Sequence, residues 1–441
     1  MSTSLKKIIQ LSLVLIIVAD TVLATHMSNR YFPFIERPED YFIKNRSHLS
    51  PAFFYVQSSH AYLHDGDDSE RRKVGIPEVW GDYNLQDIVK SLQAVQPGVN
   101  PFALVPGGID VESAKSLRFH VEGDIKAYGV TLGYEQAGPY GLQFGAWIPI
   151  MGIHTTQHFI FDAAKSEGIP ASGPQGTHDQ YLVIDEVRRK THQLIGFNGN
   201  VYDAGGFGDL DLHVRWSGML DHVLLMRTIS GMMQLGFLTP LGVRKNNGYP
   251  SSVPFGTNGS FGLYADSAFE LELKPDISVG LIGGMLWQFA DVHKVRLSVG
   301  HEPTIYSALQ SNVRIQPGFT YKVSPYLTLS NLADGLDFQV RYTYLQHFSD
   351  HWRRVGNFYP KVSGDHFKVP SYLDNPALVR EKERLSAWTA HYVTLQLSYD
   401  SKEAMKDYVL QPTFFASADI PAAGAGIVEA YQFIIGAELH F

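Results

Sequence analysis

The 441-residue chain has no cysteine. Disulfides and thiolate metal sites are therefore excluded, and with them the small disulfide-stapled class of secreted domain. Positive charge is also scarce. The 36 Lys and Arg stand against 44 Asp and Glu, for a net charge of −8, and nothing in that balance calls for a nucleic-acid partner. Beyond the amino terminus no apolar run approaches the roughly 18 residues of a spanning helix. Neither an HExxH nor a GxSxG motif is present. Mean hydropathy is only −0.10, which a transmembrane barrel shares with soluble proteins because only every second strand residue faces lipid.

What the chain does have is glycine and aromatic residues, 40 Gly, 26 Phe and 23 Tyr, set in period-2 rows. Tyr128, Val130, Leu132 and Tyr134 alternate with Gly129, Thr131, Gly133 and Glu135. Leu210, Leu212, Val214 and Trp216 alternate with Asp209, Asp211, His213 and Arg215. The second case is the more informative: four ionisable groups on one strand face need water or each other, while the opposite face is wholly apolar. The same pattern sets Asp266, Glu270 and Glu272, then Arg314, then Asp337 and Arg341 on polar rows. Aromatic residues often end the apolar rows, as interfacial girdles do. Leu117, Phe119 and Val121 are out of phase with the row from Tyr128, and a bulge near Gly123 and Asp124 is expected there.

The two ends carry their own signals. Lys6 and Lys7 precede an apolar run from Ile8 to Ala19 broken only by Gln10 and Ser12, and Val22-Leu23-Ala24 offers residues that a signal peptidase reads. This predicts a signal peptide over 1–24, cleaved after Ala24; a membrane anchor, which needs about 20 apolar residues, is the alternative. At the other end Tyr431, Phe433, Ile435, Leu439 and the terminal Phe441 form an alternating row. It resembles the last strand of outer-membrane barrels, which barrel-assembly machinery recognises.

These observations predict an all-β, antiparallel, up-and-down transmembrane barrel over 51–441, with about 12 strands (14 also allowed). The expected strands are 51–61, 116–136, 140–152, 207–217, 224–238, 260–273, 277–290, 312–323, 334–346, 391–400, 408–418 and 427–441. The connections then alternate between short ones on the carboxyl-terminal side and long ones opposite, all but 419–426, as periplasmic turns and external loops do. Helices are expected in the long loops over 84–95, 179–195 and 376–390, with Asn84 as a cap and Asn375-Pro376 as a start. Segment 25–50 is read as a periplasmic arm or a plug.

Candidate chemistry is sparse. His154 with His158 and His347 with His351 have helical metal-pair spacing but lie at strand ends or in loops. Asp65 to Glu70 is acidic but lacks calcium-loop spacing. No metal, cofactor or catalytic set is expected. The candidate functional residues are the inward charges Asp209, Asp211, His213, Arg215, Asp266, Glu270, Glu272, Arg314, Asp337 and Arg341. They are read either as a charged constriction or as a salt-bridge filling of a narrow interior.

Gly205 to Trp216 (GGFGDLDLHVRW), Thr239 to Arg244 (TPLGVR) and Pro254 to Leu263 (PFGTNGSFGL) resemble segments of outer-membrane transporters of hydrophobic compounds. The families are the long-chain fatty-acid transporter and the phenol-degradation barrel proteins. The resemblance implies a Gram-negative outer membrane and passive movement of small, partly apolar solutes. The chain departs from the fatty-acid family in strand number and lacks an obvious amino-terminal hatch signature. The other classes are a non-conducting surface barrel and a barrel-borne hydrolase.

Overall fold

The computed structural model describes residues 27, 29–33, 47–63, 73–105, 115–167, 174–221, 227–359, 375–401 and 411–441. The expected signal peptide and the acidic loop from Asp65 lie outside them. Twelve strands form the wall: β1 His48–Ser58, β2 Arg118–Ala137, β3 Leu142–Phe161, β4 Leu210–Asp221, β5 Thr228–Thr239 and β6 Gly262–Lys274, then β7 Ile277–Gln288, β8 Thr320–Ala333, β9 Leu336–His347, β10 Trp388–Asp400, β11 Gln411–Ala425 and β12 Tyr431–His440. Each pairs antiparallel with its neighbours in sequence, and β1 pairs with both β2 and β12, closing the ring. Connections at one end are short, such as 275–276 and 334–335. Those at the other are long, such as 162–209 and 348–387, except the short 426–430.

Alternation decides which way each side chain points. Every wall strand contributes an exposed large apolar residue, from Phe53 on β1 and Tyr128 on β2 round to Phe414 on β11 and Ile435 on β12. So continuous an apolar surface is far beyond what a water-soluble monomer exposes. Exposed Phe261, Trp287, Phe319 and Phe348 mark the long-loop rim; Trp216, Tyr399 and Phe441 mark the short-turn rim. Tyr431, Phe433 and Ile435 belong to this outward row. Phe441 stacks on Tyr134 with ring centroids 6.4 Å apart.

The long loops fold into a cap with its own core. Helix α1, Leu85–Val95, buries Leu85, Ile88, Val89, Leu92 and Val95 on one face, and Asn84 caps it by accepting the Gln86 N–H at 3.2 Å. Helices α2, Pro174–Leu194, and α3, Asn375–Ser386, join it. So does a three-stranded sheet of 291–296, 310–316 and 351–359. Ile184, Val187, Leu297, Tyr306 and Val313 share one buried cluster with Leu117, just ahead of β2, and with Phe119 and Val121 of β2.

Two expectations are corrected here. The β2 strand has no bulge: it runs in unbroken register with β3 from Phe119 to Ala137. Its apolar face changes because the inward side of its outer end packs on the cap, whereas lower down the outward side is the apolar one. The expected strand 312–323 also fuses two elements. Residues 310–316 belong to the cap sheet, and the wall strand is β8. Pro317 and Gly318 separate them, and a Cβ at Gly318 would lie 1.9 Å from the Phe348 carbonyl oxygen. Ser324 and Pro325, expected in a turn, stand inside β8, where Pro325 opposes Leu281.

Residues 27 and 29–33 lie across the long-loop mouth. Asn29 donates its side-chain amide to the Pro254 carbonyl at 3.0 Å, and Arg30 donates to the Leu385 carbonyl at 2.8 Å. The Arg30 carbonyl accepts the Val428 N–H at 3.3 Å. Met27 shares a buried cluster with Leu238, Tyr264, Leu286 and Tyr392, whereas Tyr31 and Phe32 share one with Phe54, Val56, Phe415 and Ile434. The segment therefore reaches from one side of the wall to the other.

The cap contains a buried titratable group. His192 Nε2 lies 2.8 Å from the Tyr83 hydroxyl. Burial, with Arg188 and Arg296 nearby, holds the ring well below its ordinary value. An unfolded His192 takes up a proton near pH 6.5, the folded one only below that. The unfolded cap thus binds more protons in this window, and cap stability falls as pH drops below about 6.5. The urea midpoint for cap unfolding, followed by tryptophan fluorescence, should fall between about pH 7.5 and about pH 5. His192→Gln should flatten that fall; an unchanged pH dependence would assign it to other groups.

Candidate functional site in the barrel interior

The inward rows of β2, β4, β5 and β6 bring six polar side chains into one network. Arg215 donates to Glu135 at 2.9 Å and to Gln234 Oε1 at 2.8 Å. Gln234 in turn donates to the Tyr264 hydroxyl at 2.7 Å, and that hydroxyl donates to Asp211 at 2.7 Å. His213 sits between Asp211, 3.2 Å from Nδ1, and Glu135, 3.3 Å from Nε2. All six are buried. The space for the imidazole exists because position 145 is glycine: a Cβ there would lie 2.1 Å from His213 Nε2. Of the candidate residues, the sequence assigns Asp211, His213 and Arg215 to this face. Glu135 stands on the matching row of β2 and was legible by the same parity; Gln234 and Tyr264 carried no charge to mark them.

Other candidates form smaller sets. Asp266 pairs with Lys322 at 3.2 Å. Glu270 accepts from the Tyr326 hydroxyl at 2.9 Å. Arg341, buried, bonds the Thr394 hydroxyl, which donates to Asp419 at 2.5 Å. Glu272 pairs with Arg227 at 3.3 Å, and Asp337 accepts the Asn331 N–H at 2.9 Å; both are part-exposed near the short turns. Two candidates stand apart. Asp209 lies between β4 and the short strand 201–207, and its carboxylate accepts the Gly242 N–H at 3.2 Å and the Thr257 N–H. It anchors the 240–261 loop and does not join the network. Arg314 is not in the wall at all: it is exposed on the cap sheet, because its strand is not a barrel strand.

The histidine pairs are likewise dispersed. His154 bonds Asp203 at 2.6 Å, His347 bonds Asp350 at 3.0 Å and His351 bonds Glu383 at 3.1 Å. Among the described residues no three ligand-type side chains converge on a metal position.

No protein-family model matches the chain, and no curated protein matches its sequence. Among solved structures it is similar to an outer membrane channel from Pseudomonas putida F1, at 9% identity and a TM-score of 0.47, covering 92% of this chain and 100% of that one. It is also similar to a Pseudomonas aeruginosa FadL homologue, at 10% identity and 0.31, covering 96% and 98%. A deletion mutant of the TodX monoaromatic hydrocarbon channel matches at 9% and 0.29, covering 90% and 91%. The closed barrel rests on the strand pairings above, not on these likenesses.

The network makes a stability prediction. Arg215→Gln leaves Glu135 buried without its guanidinium, which should cost about 3–5 kcal/mol. The double variant with Glu135→Gln should recover much of that loss. Urea titration of the protein folded in vesicles measures both, and equal midpoints for wild type and Arg215→Gln would show that the pair is not buried.

Proposed function

We propose that the chain is an outer-membrane barrel of a Gram-negative bacterium that passes small, partly apolar solutes without energy input. The observation that carries this reading is an apolar belt on all twelve strands around an interior of polar side chains. A belt of that kind needs lipid, and a closed antiparallel ring is one of the few backbones that can live in it. The short turns are then periplasmic and the cap external. The terminal row ending at Phe441 serves barrel assembly.

In the conformation described, the interior charges are paired and the amino-terminal segment crosses the external mouth. Passage therefore requires that segment to withdraw. Cleavage after Ala24 would leave it at the free end of the mature chain, held by the Asn29 and Arg30 hydrogen bonds and by the packing of Met27, Tyr31 and Phe32. The same closure favours a second reading, a non-conducting surface barrel.

Single-channel recording in a planar bilayer separates the two. The mature protein should be mostly closed. A form lacking residues 25–33 should give steady steps, and neutralising Asp211 together with Arg215 should change their size. Silence from the shortened form, with its β circular dichroism and heat-shifted gel mobility intact, would support the surface barrel instead.

A further inference from the structure

Between the cap and the crossing segment lies a cavity of about 200 Å³. Four cationic side chains line it, Arg30, Lys245, Arg296 and Lys382, against one carboxylate among the described residues, Asp350. That carboxylate is already engaged by His347 and by the Gly318 N–H. Arg296 is spent on the carbonyls of Ile195, Asn247 and Ser307. The other three cations surround one indole: the Trp80 ring centroid lies 4.7 Å from the Arg30 guanidinium and 5.3 Å from each of the Lys245 and Lys382 ammonium groups.

Lys382 is the telling member. It is 6% exposed, and among the described residues it makes no hydrogen bond or ion pair, only contacts with the faces of Trp80 and Trp352. Aromatic faces recover only part of the cost of burying an ammonium. Burial, with the like charges of Lys245, Arg30 and Arg296, pushes its affinity for a proton well below the ordinary value. One Arg30 amino group, Nη1, is also buried with no hydrogen-bond partner among the described residues. Among the described residues these three cations have no carboxylate of their own, since Asp350 is taken up by His347 and Gly318. Next to it the wall turns apolar, through Val295, Ile305, Ile315 and Trp352.

We infer that this cavity binds a small organic carboxylate, its anionic end among Lys382, Lys245 and Arg30 and its apolar body along Trp352 and the isoleucines. At roughly 15–30 Å³ per water-sized group, the space holds about ten non-hydrogen atoms. That is the size of an aromatic acid such as benzoate. As a loading site for a solute-passing barrel, the assignment rests on the proposed function. As a binding site it is measured without conduction, so failure of one is visible apart from failure of the other.

Isothermal titration of the folded, detergent-solubilised full mature chain tests it with three probes: benzoate, its neutral isostere benzamide, and inorganic phosphate. Benzoate should bind saturably, with benzamide and phosphate each at least about tenfold weaker, one for want of charge and the other for want of an apolar body. Lys382→Met and the less buried Lys245→Met should each weaken benzoate about tenfold and leave benzamide unchanged. The assignment fails if the folded wild type does not bind benzoate, or if benzamide or phosphate binds as tightly. It fails equally if folded Lys245→Met and Lys382→Met both keep wild-type affinity.

Discussion

The pairing of β1 with β2 on one side and β12 on the other leaves the wall without a free edge. In lipid no water can satisfy an exposed main-chain N–H or carbonyl, so this closure is the condition for everything else. It fixes each strand's register to two neighbours. Register then fixes side-chain direction, since a slip of one residue would exchange the apolar and polar faces of a whole strand. The apolar belt and the polar interior are therefore two consequences of one set of hydrogen bonds.

A ring of twelve strands is narrow, and its inward rows must meet one another. Here they meet as complementary pairs: Glu135 with Arg215, Asp266 with Lys322, Arg341 near Asp419 through Thr394. Pairing removes the penalty of isolated buried charge, but it also fills space. Above this layer the aromatic residues of the amino-terminal segment pack on the upper interior. The wall is held by its ladder, while the segment is held by apolar packing of Met27, Tyr31 and Phe32 and a few hydrogen bonds. Any opening would begin there.

Much of the wall was legible in the sequence because alternation is a direct record of a strand with two different environments. Most wall strands and the loop asymmetry follow from it; the helix over 84–95 was legible from an apolar stripe at helical spacing and that over 376–390 from its Asn375-Pro376 start. Alternation failed where both environments changed at once. On β2 the apolar face switches sides between cap and belt, which looked like a bulge. Residues 310–333 alternate through two different sheets, and only Pro317-Gly318 marked the break. In the interior, parity put Asp211, His213 and Arg215 on one face but could not choose their partners on other strands, Glu135, Gln234 and Tyr264. It also could not tell Asp209, a loop anchor, from its neighbours. The mouth cavity was invisible, because Arg30, Trp80, Lys245 and Lys382 come from four separate segments with no local pattern.

The placement of the amino-terminal segment is the claim on which the closed mouth and its cavity depend. The absence of native cysteine makes it directly measurable. A main-chain hydrogen bond joins Arg30 and Val428, bringing their backbones within the range that a disulfide spans. Arg30→Cys combined with Val428→Cys should therefore form a disulfide in the protein folded in vesicles, read as a gel shift reversed by reductant. Two free thiols in the folded, oxidised double variant would contradict the account and place the segment elsewhere.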